Sequence, residues 1–408
     1  MNRLTKYAFA DLYEMASGIS TTKEQAGHGS PFVSFSTVFN NYFLPDTLPD
    51  LMDTSAQEQE TYSLKEGDIL ITRTSETIDE LAMSCVAVKD YPHATYSGFT
   101  KRLRPKTKGI AYHKYLAFYL RGELFRKAVT NNAFMTLRAS FNEDIFSFLS
   151  LYLPKYEDQV KIGDMLYTME QKIQLNKRIC AEQEAVAKTL YDYWFTQFDF
   201  PDDDGRPYRS SGGEMVWNEQ LKREIPKGWE VTTIGMITEN FDSQRVPLSQ
   251  NQREGIKGTV PYYGATGIMD YVNGYIFDGQ YVLIAEDGSV MDSFGHPIVQ
   301  MIWDKTWVNN HAHVLRGIKN YSNEILYFIL KGIPVVKIMT GSIQKKINQD
   351  NLNNYCIPSI PKEILNRFYF CTKDMFEQIH QLELENNELI KLRDWLLPML
   401  MNGQARVE

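Results

Sequence analysis

Residues Ile162-Gly-Asp-Met165-Leu-Tyr-Thr-Met169-Glu-Gln-Lys-Ile173-Gln-Leu-Asn176-Lys-Arg-Ile-Cys180-Ala-Glu-Gln183-Glu-Ala-Val-Ala187-Lys-Thr-Leu190-Tyr-Asp-Tyr-Trp194 decide the fold, because their numbered positions follow helical steps of three and four. Advancing each numbered position by 206 residues gives Phe368, Cys371, Met375, Ile379, Leu382, Asn386, Leu389, Arg393, Leu396 and Leu400, with the same stepping and no gap. Such spacing keeps one face of a long helix turned toward a partner. Two such helices at one fixed offset predict a duplicated plan, a mixed domain followed by a long helix, used twice.

Working outward, the plan divides into a mixed domain at 1–155, a first long helix at 156–197, a linker at 198–228, a second mixed domain at 229–360 and a second helix with its tail at 361–408. The expected class is α+β: two mixed domains in pseudo-symmetric repeat and two long helices that pair antiparallel as a coiled coil. Gly67-Asp-Ile-Leu-Ile-Thr-Arg-Thr reads as a turn entering a strand, and Gln280-Tyr-Val-Leu-Ile and His313-Val-Leu-Arg316 as strands. Tyr112 to Val129 reads as one helix, Ser322 to Leu330 as another, and Pro398 as the stop of the last. Pro201-Asp-Asp-Asp-Gly-Arg-Pro and Ser210-Ser-Gly-Gly mark the linker. The mixed domains also match locally. Ser97-Gly-Phe-Thr-Lys-Arg-Leu-Arg104 aligns with Asn309-Asn-His-Ala-His-Val-Leu-Arg316, and Ser140-Phe-Asn-Glu-Asp with Lys346-Ile-Asn-Gln-Asp.

At 408 residues, 43% of them hydrophobic, the chain has material for two cores. It has no apolar run long enough to span a membrane, and its start lacks the apolar stretch of a secretory signal. Four scattered cysteines with no metal spacing suit a reducing compartment, so a cytoplasmic location away from membranes is expected. The net charge of −8 conceals a segregation of charge. Ten basic residues and one acid lie between Ser97 and Arg138, and seven basic residues and one acid between Lys305 and Lys346. A basic stretch recurring in both copies is the footprint of a phosphate-binding face, with a merely solvated surface as the other reading.

Catalytic machinery is missing. There is no Gly-Lys dipeptide and hence no phosphate loop, no Asn/Asp-Pro-Pro-aromatic tetrapeptide and no GxSxG. The one acid-x-Lys triplet, Glu170-Gln-Lys172, sits inside a heptad helix. His311 and His313 fall on one side of a strand, but no third ligand is apparent, so no metal is expected. The chain reads as a non-enzyme.

Several segments together resemble the specificity subunit of Type I restriction-modification systems. They are Gly67-Asp-Ile-Leu-Ile-Thr-Arg-Thr, Val260-Pro-Tyr-Tyr-Gly-Ala-Thr-Gly, Asn309-Asn-His-Ala-His-Val-Leu-Arg, Gly341-Ser-Ile-Gln-Lys-Lys-Ile-Asn-Gln-Asp, and the central Trp194-Phe-Thr-Gln-Phe-Asp-Phe-Pro with Ile225-Pro-Lys-Gly-Trp-Glu. In the first domain Met135-Thr-Leu-Arg138-Ala-Ser departs from the Gly-Ser start common at that place. The resemblance implies two target recognition domains, each reading half of a bipartite double-stranded DNA site, with the helices as spacer and docking surface. It implies no catalysis and no cofactor in this chain. Two modification (methylase) subunits would supply S-adenosylmethionine chemistry, and restriction (translocase and nuclease) subunits would use ATP and Mg. A coiled-coil scaffold that reads no DNA is the rival from another class, and a related methylation-linked phage-defence system the rival within it.

Candidate DNA contacts in the first domain are Thr72, Arg73, Thr74, Lys101, Arg102, Arg104 and Arg138. In the second they are Tyr263, Ser289, His311, His313, Arg316, Ser342, Gln344, Lys345 and Lys346. Arginine paired to guanine O6 and N7 discriminates by ~1–3 kcal/mol, although a phosphate contact or surface ion pair fits each arginine equally well. Candidate partner-binding positions on the helices are Ile162, Met169, Ile173, Leu190, Trp194, Phe368, Met375, Ile379, Leu389 and Leu396. As a spacer, four residues added to each helix would lengthen it by roughly 6 Å, about two base pairs.

Overall fold

The computed structural model describes residues 4–132, 139–341, 345–405 and 407. Backbone contacts divide the chain into two units, 1–176 with 385–408, and 177–384. Both long helices are therefore shared between units.

The first unit is built on a four-stranded sheet in the order Tyr13–Ser17, Thr100–Pro105, Ile69–Thr72, Ser84–Val86. Ile69, Leu70 and Ile71 are all buried, which explains their unbroken apolar run; both faces of this central strand are covered. A second sheet runs Asp50–Met52, Ala26–Val33, Thr95–Tyr96, and its last pair is parallel. Thr5–Ala8 pairs with Ser150–Leu153 and closes the domain.

The second unit repeats this order. Its main sheet is Thr238–Asn240, Ala312–Gly317, Tyr281–Ala285, Val299–Ile302. Its second sheet contains the same parallel step, between Lys257–Tyr263 and Lys305–Val308. Glu230–Thr233 pairs with Cys356–Ser359 as the closing strands. The helices Glu143–Phe148 and Gln349–Asn353 both start on asparagine caps, Asn142 and Asn348, because an asparagine oxygen accepts an amide the first turn leaves open.

Two expectations change in detail, and the first long helix stands where it was expected. The single helix at Tyr112–Val129 is two, His113–Tyr119 and Glu123–Asn132. Arg121 stands at the break, donating to the carbonyls of Ser84, Val38, Phe39 and Asn41 at 2.7–2.9 Å. The first long helix is Tyr156–Tyr191, with a π turn at Asp192–Thr196. The second, Lys362–Met401, contains Pro398 instead of stopping there. Proline removes one helical bond near the end, and burial of Leu400 and Met401 in the first core holds the last turn.

Within each unit the helices pair antiparallel. In the first, Arg393 Nη1 lies 3.0 Å from Glu170 and Asn176 Nδ2 3.0 Å from Asn386 Oδ1. In the second, Gln183 Nε2 donates to Gln378 at 3.0 Å and Cys180 Sγ approaches the Ile379 carbonyl at 3.8 Å.

Candidate nucleic-acid interface

In the first unit the loop leaving Ile69–Thr72 is fixed by its backbone. The Arg73 amide donates to the Phe99 carbonyl at 2.8 Å, and the Arg73 carbonyl accepts the Phe141 amide at 2.7 Å. Thr74 pairs with Ser140. Arg73 is exposed beside Lys101, whose ammonium donates to Ser17 Oγ at 2.7 Å. Burial, and then the Arg73 charge, push the Lys101 pKa down. Two cations at one corner favour an anion, and the Glu143 carboxylate offsets part of their charge. Phe99, 65% exposed, stands at the same corner.

The neighbouring arginines point elsewhere. Arg104 makes a forked pair with the fully buried Asp68, at 2.8 and 2.6 Å, and also donates to the Ser63 carbonyl. The Asp68 bond raises its pKa. Arg102 donates to Ser63 O at 3.1 Å and lies over the Tyr96 ring. Thr72 is fully buried, its hydroxyl accepting the Met83 amide at 2.9 Å. Thr72 is thus shut in beneath the loop, whereas Arg102 and Arg104 are half-exposed and tied to Ser63 and Asp68. The first basic stretch is likewise partly engaged within the unit, since Arg121 ties carbonyls, Lys114 pairs with Asp164 and the exposed Lys106 holds the Ala10 carbonyl. Arg138 lies outside the described residues.

The second unit repeats the backbone clamp with different side chains. The Glu286 amide donates to the His311 carbonyl at 2.8 Å, and its carbonyl accepts the Ile347 amide at 2.8 Å. Glu286, His311, His313 and Asp242 thus take the corners of Arg73, Phe99, Lys101 and Ser17. His313 is 2% exposed, with Nδ1 2.5 Å from Asp242 Oδ2 and Nε2 3.0 Å from the Ile347 carbonyl. Burial alone would lower its pKa, but the Asp242 bond and charge outweigh it and raise it. Arg245 Nη1 and Lys346 Nζ each lie 2.8 Å from Glu286, and the two bonds hold that carboxylate low against its burial.

Asp242, Glu286 and His313 bring ligand atoms within 4.8 Å of one another, so this trio is where a metal would be sought. Arg245 and Lys346 already balance its charge, and Arg245 lies 2.8 Å from Glu286 and 3.5 Å from Asp242 on the oxygens that face His313 Nδ1. A cation would have to displace an arginine.

Of the remaining candidates, Ser289 is exposed and His311 half-exposed, bonded to Asp287 at 2.5 Å. Exposed Arg316 pairs with Glu239 at 2.6 Å. Tyr263 is packed into the small core around Phe277 and Leu283, and burial raises its pKa. Lys345 is half-buried near Met291, and Lys346 is exposed. Ser342 and Gln344 lie outside the described residues. Sequence reasoning missed Ser17, Asp242, Arg245 and Glu286. The matched strand order would have flagged Ser17 and Asp242, but Arg245 lies outside both basic stretches.

The family model for the Type I restriction modification DNA specificity domain matches residues 6–185 and 226–393, one match over each copy of the plan. The chain belongs to this family. It is a specificity subunit of the Type I restriction-modification kind, with two domains for DNA target recognition. The MjaIX type I restriction enzyme specificity subunit of Methanocaldococcus jannaschii is 23% identical over 98% of this chain and 92% of its own length. A putative type I restriction enzyme specificity subunit of Haemophilus influenzae is 36% identical over 37% of this chain and 38% of its own length. The crystal structure of the S subunit of the type I restriction-modification system from M. genitalium shares the fold, at a TM-score of 0.53 and 14% identity over 98% of this chain and 96% of that one.

The helix positions of this specificity subunit divide by exposure. Ile162, Ile173, Trp194, Phe368 and Ile379 are buried, and Met169, Leu190, Met375, Leu389 and Leu396 half-buried. Most of them pack in the chain's own seam and cores, and the half-buried ones keep part of their surface exposed. The exposed large apolar side chains of the two long helices are, among the described residues, Leu175, Leu392 and Trp395 in the first unit and Val186, Tyr369, Phe370 and Leu384 in the second. Among the described residues no helix is long and apolar enough to cross a membrane.

Proposed function

We propose that each unit reads one half of a bipartite double-stranded DNA site through the loop platform around Arg73 or Glu286. The observation that carries this reading is the repeated clamp, in which one backbone frame holds Arg73, Phe99 and Lys101 in one copy and Glu286, His311 and His313 in the other. A shared scaffold with exchanged chemistry suits two readers of different sequences, since phosphate contacts set register and base edges set specificity. In this reading Arg73, Lys101, Lys345 and Lys346 meet phosphates or base edges, and Ser289 and His311 lie at the loop tips.

The chain itself catalyses nothing in this reading and binds no cofactor. Two modification (methylase) subunits, docked on exposed helix positions, supply S-adenosylmethionine for adenine methylation, and restriction subunits supply ATP- and Mg-dependent cleavage. Helix length sets the spacer, so paired four-residue insertions lengthen the recognised gap by about two base pairs.

Methylome sequencing of cells co-expressing the chain with its methylase tests the reading. A single bipartite motif that vanishes without this chain, and changes in one half when one unit is exchanged, supports it. An active, assembled methylase that leaves no motif overturns it in favour of a scaffold.

A further inference from the structure

The ring of His313 faces two groups that only accept hydrogen bonds, the Asp242 carboxylate at Nδ1 and the Ile347 carbonyl at Nε2. Both nitrogens must therefore carry hydrogen, and only the imidazolium meets that demand. A neutral ring would turn one lone pair toward an acceptor. The bonds fasten the turn at Asp242, which also accepts the Val314 amide at 2.9 Å, to the segment Lys346–Ile347, which closes on Glu286. That segment and the Glu286 loop carry Lys345, Lys346 and Ser289.

We propose that His313 is a positioning residue whose charged ring holds the second unit's reading loop in place, so that recognition of the second half-site depends on pH while that of the first does not. This rests on the functional reading above.

The groups facing His313 are Asp242 and Arg245 from the turn, Glu286 at 3.6 Å from the neighbouring strand end, and Lys346 and Asp287 around Glu286. Bonds hold the Asp242 and Glu286 carboxyls low against their burial, and the Glu286 bond pushes Lys346 up, so these three keep their charges through neutrality. His313 is the histidine inside this set, while His311 sits outside it on Asp287 at 2.5 Å, a pair that the Asp242→Asn variant leaves intact. The His313 value is raised above 6.5, so the clamp is complete below 6.5 and is lost as pH rises through the raised value. The corresponding corner of the first unit holds Lys101 on the Ser17 hydroxyl, an amine pushed down from its ordinary 10.5 by burial and the Arg73 charge, in place of a histidine held by a carboxylate. One protein thus contains its own control.

The test uses the chain assembled with its methylase, and duplexes bearing single-base changes in either half-site, the halves being assigned by exchanging units. The preference for correct over altered sequence is measured from about pH 6 to about pH 9. Discrimination at the second half-site is expected to fall by about fivefold or more as pH rises, with the first unchanged. Asp242→Asn keeps the Val314 contact and offers the neutral ring a donor, so it should retain discrimination at high pH and lose the pH dependence. A flat second half-site, equal dependence in both halves, or a wild-type profile in Asp242→Asn overturns the proposal. The wild-type comparison of halves decides without any variant. A complex with no discrimination in either half at any pH overturns the functional reading and this inference with it.

Discussion

Asn176 and Asn386, both buried where the long helices pair in the first unit, bond to each other at 3.0 Å. They are not counterparts in the repeat, whose offset of 206 places Leu382 opposite Asn176 in register. Asn176 also donates to Glu385 at 2.7 Å, while its own oxygen lacks a partner, and Asn386 donates to the Ile173 carbonyl at 3.4 Å. A buried polar pair at a seam fixes register at some cost in stability. Replacing Asn386 alone by Leu removes one of the two acceptors of the buried Asn176 amide and is expected to destabilise by ~1–3 kcal/mol. The double change to Leu should recover most of that loss, and a urea double-mutant cycle reads the coupling. Two additive single losses would show the pair to be uncoupled.

Gly163 interrupts the first helix pattern where alanine would be the better helix former by ~1 kcal/mol. A Cβ there would come within 2.7 Å of the Tyr115 backbone nitrogen. Because that neighbour is backbone in a filled core, contact should outweigh propensity. Gly163→Ala is expected to lower the thermal midpoint, and a rise would mean that Tyr115 yields.

Arg73 and Arg104 separate reading from support. Arg73→Ala is expected to weaken DNA binding and reduce the salt slope by about one ion. Arg104→Met strands a buried carboxylate at Asp68 and should cost ~3–5 kcal/mol of stability, with the salt slope of the remaining folded protein unchanged. Filter binding across salt concentrations, alongside urea melts, distinguishes them; a reversed pattern would exchange their roles.

This contrast also shows what the sequence made legible. Heptad spacing at Ile162–Trp194 and its copy revealed the two helices, because helical period is a local property. The paired motifs at Ser97 and Asn309 revealed the matching sheets. The direction of each basic side chain was not legible. Arg102, Arg104 and Arg121 lie in the same basic stretch as Lys101, yet their partners are Ser63, Asp68 and the carbonyls near Asn41, tens of residues away. The pairing of His313 with Asp242 spans 71 residues and leaves no periodic trace. Pro398 misled because a stop signal is local, whereas the burial of Leu400 that overrides it is not.

Asp270 gives an acid-sensitive tie in the second unit. It accepts Lys257 at 2.6 Å and Arg253 at 3.0 Å, and the Lys257 bond leads the interactions that bring its pKa from 3.8 to about 2. A depressed carboxylate contributes stability above its unfolded value that is lost as pH falls through the folded one. The stability gap between wild type and Asp270→Asn should therefore be full above 3.8 and close toward about 2. Urea midpoints of both proteins across that window provide the check, and a gap that persists at the acid end would assign the effect to packing.

Trp395 and Phe368 lie on the same long helix with opposite exposures, 64% and 0%. Phe368 meets the rings of Trp194 and Phe195 at centroid distances of 5.8 and 5.2 Å inside the second core. Truncating it to Ala should cost ~3–5 kcal/mol. Trp395 covers nothing comparable in the first unit, and an exposed tryptophan near exposed Leu392 has the composition of an interface anchor. Trp395→Ala should leave the urea midpoint within about 0.5 kcal/mol of wild type. If the methylase docks here, the same change should weaken its association by tenfold or more, about 1.4 kcal/mol. Calorimetric titration of methylase into each variant decides the matter, because unchanged affinity in folded Trp395→Ala places the docking surface elsewhere on the chain.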